Sequence, residues 1–218
     1  QEQLFEYHLY TLGRATTIAD KQTKQVALLG ASGVPVTKEL VLQGNDYYYR
    51  SSVGGIGQKM KVGVFVQFEN REAARLGMPM PKGVVRVYKK DSRGNALFIG
   101  EDAIDHTAKN ETVRLKLGDA FDVKASRKQT SFRKIAGSPN AVYESAFSIE
   151  LANAKDVPVT VKVVEPVPGD WEMVSESQKH AKGDAHSAVW LVNVPAQGKP
   201  SRRQAERARH DAEDQRDG

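Results

Sequence analysis

Cysteine is missing from this chain of 218 residues. Its absence excludes disulfide bonds, thiolate metal ligands and cysteine nucleophiles together. Long apolar runs are missing too, because no stretch approaches the roughly 18 apolar residues of a membrane-spanning helix. We therefore expect no membrane span. The opening QEQLFEYHLY has neither a basic segment nor an apolar core, which predicts a cytosolic N-terminus, a mature N-terminus after cleavage, or a fragment.

A large excess of one charge is also missing. The chain has 32 Lys and Arg against 27 Asp and Glu, a net charge of +5. A nucleic-acid binder gathers its cations on one face, with aromatic side chains interleaved. Here the basic segments are spread along the chain and mostly lie on the polar phase of predicted strands. We interpret them as solvated surface and expect no nucleic-acid partner.

What the chain has in quantity is alternation of apolar and polar residues with a period of two. Such alternation predicts strands with one buried and one solvated face, as in antiparallel sheets. No stretch before residue 198 predicts a long amphipathic helix, and NREAARLG could supply one short helical turn. The four clearest apolar phases are Met60, Val62, Val64, Val66 and Phe68; Val113, Leu115 and Leu117; Tyr143, Phe147, Ile149 and Leu151; and Val157, Val159, Val161 and Val163.

Polar turns connect these strands. YKKDSRGNALF predicts a hairpin whose first strand runs from Val84 to Lys90 and whose second runs from Ala96 to Gly100. LANAKDVPV has the same form, with a loop from Asn153 to Asp156. The fold class that follows is all-β, as tandem immunoglobulin-like antiparallel β-sandwiches. We place the domains at residues 1–118 and 119–199; one larger sandwich is the alternative.

The end of the chain differs from the rest. SRRQAERARHDAEDQRDG has five arginines, five acidic residues and no large apolar side chain. Such a segment cannot bury a face, so residues 200–218 are expected to form a charged tail that is disordered or a solvated helix.

GEDAIDH, residues 100–106, is the first candidate for chemistry because it gathers Glu101, Asp102, Asp105 and His106. In an extended chain Asp102 and His106 point one way, with Ile104 between them, and Glu101 and Asp105 point the other. The alternative is a strand end whose polar side chains bond the backbone of the following turn. We favour this alternative over a metal site.

GNDYYYRSSVGGIGQK is the second candidate. Tyr47, Tyr48, Tyr49 and Arg50 could form a stacking platform for sugar rings or a peptide. On a strand, however, Tyr48 points away from Tyr47 and Tyr49, which favours packing tyrosines beside a flexible loop. The glycines lack the Lys-Ser/Thr pair of a phosphate-binding loop.

Catalytic patterns are weaker still. No G-x-S-x-G elbow is present, and Trp171 between Asp170 and Glu172 is interpreted as a core residue flanked by solvated acids. We assign no catalytic residue, no cofactor and no metal ligand. The weak ligand-surface candidates are Tyr47, Tyr48, Tyr49, Arg50, Asp102, Asp105 and His106.

Three long blocks are similar to one family: LFEYHLYTLGRATTIADKQTKQVALL, MPKGVVRVYKKDSRGNALFIGEDAIDHTAKNETVRLKLGDAFDV and NAKDVPVTVKVVEPVPGDWEM. They resemble the domain of unknown function 4139 family of bacterial proteins, over about Leu4 to Val194. Related domains form the C-terminal part of mucoidy-inhibitor-type proteins. The resemblance implies an all-β fold, a periplasmic or extracellular location, and a longer precursor with a secretory signal. It implies no established activity.

This chain departs from the family's pattern after VPAQGK, where the family has a last strand of alternating apolar and basic residues. We hypothesise that residues from about Pro200 are a frameshift product, which leaves the second domain one strand short. Such a domain exposes a sheet edge. Reading the coding DNA in its other frames tests the idea.

The function expected from the residues and the resemblance is a non-enzymatic structural or interaction module of the bacterial cell envelope. Its partner would be an envelope protein or glycan, and no oligomeric state is predicted. Two alternatives remain open: a carbohydrate-binding module that uses the three tyrosines or Trp190, and a glycan hydrolase that uses carboxylates such as Asp102, Asp105 or Asp170.

Overall fold

The computed structural model describes residues 2–4, 7–13, 15–136 and 141–211. Within these residues the chain forms thirteen strands and two short 3-10 helices, Asp46–Tyr49 and Glu72–Ala74, with no α-helix. No helix there is long and apolar enough to span a membrane. The strands are β1 (Glu2–Leu4), β2 (Tyr7–Leu9), β3 (Thr37–Gln43), β4 (Gly55–Glu69), β5 (Gly83–Lys90), β6 (Ala96–Ile104), β7 (Thr112–Ala136), β8 (Val142–Asn153), β9 (Val159–Pro166), β10 (Trp171–Glu176), β11 (Ala181–Asp184), β12 (Ser187–Val194) and β13 (Gly198–Asp211).

Nine strands form one mixed sheet in the order β10-β13-β8-β7-β4-β3-β9-β12-β11. Every neighbouring pair is antiparallel except β3 and β9, which are parallel. The pairs β1-β2 and β5-β6 form separate two-stranded sheets. The all-β class predicted from the alternation is confirmed.

The large sheet curls until its two ends approach each other. Strand β12 contacts β8 and β13 across the interior, and the indole of Trp171 on β10 donates to the Ala185 carbonyl, 3.0 Å away, beside the opposite edge. Curling is favoured by register shifts along β4 and β7, because bulges bend a strand and increase its twist. The main core is enclosed by both halves of the sheet and comprises Leu40, Leu42, Val62, Ala120, Val123, Ala125, Ile149, Leu151, Val161, Val163, Ala188, Trp190, Val192 and Val194.

The alternating phases lie where the sequence places them. Met60, Val62 and Val64 pack in or against the main core, whereas Val66 and Phe68 belong to a second cluster with Val113, Leu115 and Leu117. Val157 is the exception, because it lies before β9 and is exposed. The short helical turn predicted at NREAARLG is confirmed as the 3-10 helix Glu72–Ala74.

The arrangement differs from two tandem sandwiches. The boundary proposed near residue 119 falls inside β7, which pairs with β4 on one side and with β8 on the other. Strands from both proposed domains therefore share one mixed sheet. The physical reason is that β7 continues through its register shifts instead of ending in a turn.

The hairpin predicted around Asn153 is wrong. Strand β8 pairs with β7 and β13, and β9 pairs with β3 and β12, so the loop carries the chain from one half of the sheet to the other. The buried amide of Asn153 holds this crossover, because its nitrogen donates to the carbonyls of Val157 at 2.9 Å and Pro195 at 3.1 Å.

The expected tail is also corrected over its described part. Residues 198–211 form β13, which lies between β10 and β8, so this end of the sheet has the strand that was expected to be missing. Backbone N–H and C=O groups make the ladder, and they need no apolar side chain to pair. Residues 212–218 lie outside the described residues, and the frameshift hypothesis stays a prediction.

Candidate functional site

The GEDAIDH residues anchor the β5-β6 hairpin to the rest of the molecule. The Asp102 carboxylate accepts a hydrogen bond from the backbone N–H of Lys116, at 2.7 Å, and so ties β6 to β7. Glu101 points outward and pairs with Arg86 of β5, with 2.9 Å between Oε2 and Nε. The two faces predicted by strand alternation are confirmed for these residues.

Asp105 and His106 lie just after β6 at the base of the hairpin. Nδ1 of His106 accepts a hydrogen bond from the backbone N–H of Lys82 at 3.3 Å, and the hydroxyl of Thr107 donates to the Asp105 carbonyl at 2.9 Å. This confirms the interpretation of a strand end that bonds its own turn. In the described part of the chain, no three His, Asp or Glu side chains are placed to share a metal ion.

The tyrosine segment forms a 3-10 helix rather than a strand. Asn45 caps it, since its side-chain oxygen accepts from the Tyr47 N–H at 3.3 Å. Tyr48 and Tyr49 are buried and Tyr47 is half exposed, while Arg50 pairs with Asp46 on the surface. The extended geometry assumed for this segment is wrong, because the helix rotates successive side chains by about 120°. Two of the three rings face the interior.

Beneath this helix lies a buried charge cluster, formed by Arg127, Glu165 and Tyr49. The side chains of Arg127 and Glu165 are both 0% exposed and form an ion pair. The Tyr49 hydroxyl donates to the same Glu165 oxygen at 3.3 Å. The Arg127 guanidinium also lies 4.6 Å from the ring centre of Tyr48 and 4.8 Å from that of Phe147, where cation–π attraction stabilises it.

Strand parity places both charges inside. Arg127 continues the inward phase of Val123 and Ala125 on β7, and Glu165 continues that of Val161 and Val163 on β9. Complete burial raises the pKa of the Glu165 carboxyl, and the Arg127 guanidinium and Tyr49 hydroxyl oppose that rise. A sequence signal for this cluster exists, since each charged residue interrupts an otherwise apolar inward phase.

Gly44 leaves room for the carboxyl group of the buried charge cluster. Its amide donates to the Val164 carbonyl at 2.7 Å, which brings the backbone directly against the neighbouring Glu165 carboxyl. A Cβ at this position would lie 2.3 Å from Oε2 of Glu165. Only glycine permits this approach, and the closed packing leaves the cluster without access to solvent. The arrangement therefore holds the fold rather than receiving a ligand.

The two tryptophans enclose His180 at the closing edges of the sheet. Its ring lies 5.4 Å from Trp171 and 5.9 Å from Trp190, and Nδ1 lies 3.0 Å from Glu176 Oε2. Trp190 is buried and donates to that same carboxylate. Trp171, predicted as a core residue, packs against the main core and is only partly buried, and the buried Trp190 is not available as a glycan platform.

The remaining candidate is the free end of the β5-β6 hairpin, here called the hairpin tip and defined as residues 88–99. The base of the hairpin is packed, because Val85, Val87 and Ile104 contact the second apolar cluster. Gly100 allows close approach to β7, where a Cβ would lie 2.8 Å from the Leu117 carbonyl oxygen. Between Gly100 and the turn, the residues of the two strands lie outside the apolar clusters.

The hairpin tip carries large apolar side chains in solvent. Tyr88 and Phe98 are cross-strand partners whose rings meet edge to face, with 5.7 Å between centroids. A register shift between Val87 and Tyr88 leaves Ile99 without a strand partner. The exposed fractions are 54% for Tyr88, 54% for Leu97, 55% for Phe98 and 44% for Ile99.

The turn that closes the tip is held by one carboxylate. Asp91 accepts from the backbone N–H groups of Arg93 and Asn95, each at 2.8 Å, and from the Asn95 side chain at 3.1 Å. The Asn95 hydrogen bonds lower the pKa of Asp91, so the carboxylate is ionised at neutral pH. Lys89 and Lys90 precede it on β5 and Arg93 follows it in the turn, and these cations form no ion pair with any described residue.

Sequence reasoning found this hairpin but not its surface. The sequence signal for this surface is the contiguous apolar run Ala96-Leu97-Phe98-Ile99 beside Tyr88-Lys89-Lys90, which breaks the alternation expected of a half-buried strand.

A different surface feature is a groove of about 230 Å³ at the start of β3 and end of β4, lined in part by Val36, Phe68 and Arg71. It is smaller than the usual ligand cavity of about 300–1,000 Å³.

Comparisons with protein-family models, with curated proteins and with solved structures find no match to this chain.

Proposed function

We propose that the protein is a non-enzymatic interaction module of the bacterial cell envelope, periplasmic or extracellular, which binds its partner through the hairpin tip. The observation that carries the proposal is the group of four large apolar side chains held in solvent on an anchored hairpin. Contiguous exposed apolar surface on a soluble protein marks an interaction site. The resemblance to the domain of unknown function 4139 family supports the envelope location.

Other features of the surface favour the tip. Elsewhere, exposed apolar residues lie singly on strands, such as Phe121 and Leu191, or in the segment without strands between β2 and β3, such as Val26, Leu28 and Leu29. Isolated ones are normal on protein surfaces, and the tip differs because its exposed apolar residues are held on a paired hairpin. The charged residues that lie deepest, Arg127 and Glu165, are closed off by the 3-10 helix and are occupied with each other. The GEDAIDH carboxylates bond the backbone of the hairpin and its base.

Fractionation of bacterial cells tests this function. The wild-type chain, expressed with an export signal, is expected to sediment with the envelope membranes. Leu97→Ser/Phe98→Ser should move most of it to the soluble fraction, because the change removes apolar contact area at the tip. Leu191→Ser is the matched control, since Leu191 is 61% exposed on β12, and it should sediment like the wild type. Sedimentation of the tip variant with the envelope would disprove the proposal.

A further inference from the structure

We infer that the hairpin tip binds the surface of an anionic lipid bilayer, with its apolar side chains in the interface and its cations against the lipid headgroups. The inference rests on the proposed function and names the partner class. It is carried by two independent features of the tip, its unpaired positive charge and the position of its apolar side chains.

The cations of the tip differ from those around it. Arg86, Lys82 and Lys116 near the hairpin each pair with a carboxylate, of Glu101, Asp105 and Asp119 respectively. By contrast, the three cations beside the turn form no ion pair with a described residue. The only acid between residues 88 and 99 is Asp91, so three cations against one carboxylate leave the tip with a net charge of +2.

The single acid is hydrogen-bonded within the turn and forms no ion pair with these three cations. Both Asp91 oxygens accept hydrogen bonds from within the turn. Lys89 and Lys90 precede it on β5, and Arg93 lies inside the loop. A lysine or arginine near an anionic leaflet is attracted to it, and the attraction is lost beyond about a Debye length.

The apolar residues lie at a depth that suits a bilayer interface. Leu97 and Phe98 are the second and third residues of β6 after the turn, which places them within about 10 Å of the end of the hairpin at ~3.4 Å per residue. Peripheral proteins bury apolar groups about 5–10 Å into the interface. Lys90 and Phe98 lie on one face of the hairpin and Leu97 and Lys89 on the other, so a hairpin inserted end-on brings both faces into contact.

Other partners fit this surface less well. A second copy of the chain would bring two tips of charge +2 together, which repel each other. For a single-stranded nucleic acid the tip offers one edge-to-face aromatic pair and two aliphatic side chains, whereas base stacking uses open aromatic faces. An apolar groove on a protein would accept Leu97 and Phe98 but gives no role to three unpaired cations.

Co-sedimentation of the purified full chain with lipid vesicles tests the inference. The probes are vesicles of phosphatidylcholine alone and vesicles with about 30% phosphatidylglycerol, at low salt, where surface charge is least screened, and at high salt. The charge variant is Lys89→Gln/Lys90→Gln/Arg93→Gln and the apolar variant is Leu97→Ser/Phe98→Ser. The matched controls are Lys38→Gln/Lys128→Gln/Lys134→Gln, which removes three exposed lysines elsewhere, and Leu191→Ser. Thermal unfolding establishes that each variant is folded.

The wild type is expected to bind the anionic vesicles at least tenfold more tightly than the neutral ones, and less tightly at high salt. Each tip variant should lose at least tenfold of that binding, and each control should keep it within about twofold. Equal binding to both vesicle types, or tip variants that bind like the wild type, would overturn the inference. Tip-dependent sedimentation with cell envelopes combined with no binding to pure vesicles would overturn it too, while leaving the proposed function in place with a protein or glycan partner.

Discussion

The Arg127–Glu165 pair removes two charges from water completely. Their mutual attraction and the two flanking aromatic rings offset the desolvation of each ion. We predict that Arg127→Met lowers the free energy of unfolding by about 3–5 kcal/mol, because Glu165 keeps its buried position and loses its cation. Urea denaturation measures the change.

Two further variants isolate the charge from the packing. Arg127→Met/Glu165→Met should recover at least half of the loss, since both groups are then apolar and unbranched. Arg86→Met breaks a pair that is about half exposed and should cost at most about 1 kcal/mol. If Arg127→Met costs no more than Arg86→Met, the pair does not stabilise the interior as argued.

The titration of Glu165 makes the loss of stability in Arg127→Met depend on pH. Burial raises the pKa of this carboxyl in the folded state, so the contribution of Glu165 to stability declines as the pH rises through the raised pKa. Loss of the Arg127 guanidinium raises the pKa of Glu165 further, because the guanidinium opposes the effect of burial. The penalty of Arg127→Met, measured by urea denaturation against the wild type, should therefore be larger at pH 8 than at pH 5. An equal loss of stability at both pH values would contradict a raised pKa of Glu165.

Among the individual elements, the β5-β6 hairpin depends on Asp91. Hydrogen bonds from Asn95 lower its pKa in the folded state, so the stabilisation it gives is present above the ordinary carboxyl pKa and is lost as the pH falls through the lowered one. We predict that Asp91→Ala speeds hydrogen exchange at the Asn95 amide about fivefold or more, because the change removes the carboxylate that accepts from this amide.

The same experiment separates a local from a global effect. NMR-detected exchange at amides of β8 should be unchanged in Asp91→Ala, because the turn is remote from the main sheet and opens separately. Asp156→Ala, in the loop after β8, is the matched control, and its Asn95 amide should exchange at the wild-type rate. Equal acceleration of exchange at Asn95 in the two variants would show that the Asp91 hydrogen bonds do not hold the turn.

Single elements were predictable wherever one local signal decides them. The alternation of β4, β7 and β9 and the polar turn after Lys90 gave the strands and the hairpin. The tyrosine helix was not predictable by parity, because the cap from Asn45 and the buried contacts of Tyr49 select its backbone. The loop after Asn153 looks the same in sequence whether it joins neighbouring strands or crosses the core.

For the whole molecule, pairing between distant segments decides the architecture. The parallel pair β3-β9 joins residues more than a hundred positions apart, and the register shifts within β7 let one strand serve two halves of the sheet. Neither feature leaves a local pattern. For the buried pair of Arg127 and Glu165, each charge interrupts an apolar inward phase, but no local pattern shows that the two side chains meet.

Strand β13 gives the sharpest test of this architecture. Its Ala208 is buried against Tyr48, Tyr49, Phe147 and Val167, so Ala208→Leu should overpack that cluster and lower the free energy of unfolding by about 1–3 kcal/mol. Ala181→Leu changes an exposed residue of β11 in the same way and should alter the free energy of unfolding by less than about 0.5 kcal/mol.

Truncation after Gln197 removes the strand between β10 and β8 and should abolish cooperative unfolding or cause aggregation through the exposed edge of β8. If these residues form a charged tail that does not pair with the sheet, Ala208→Leu and the truncated chain will both be as stable as the wild type.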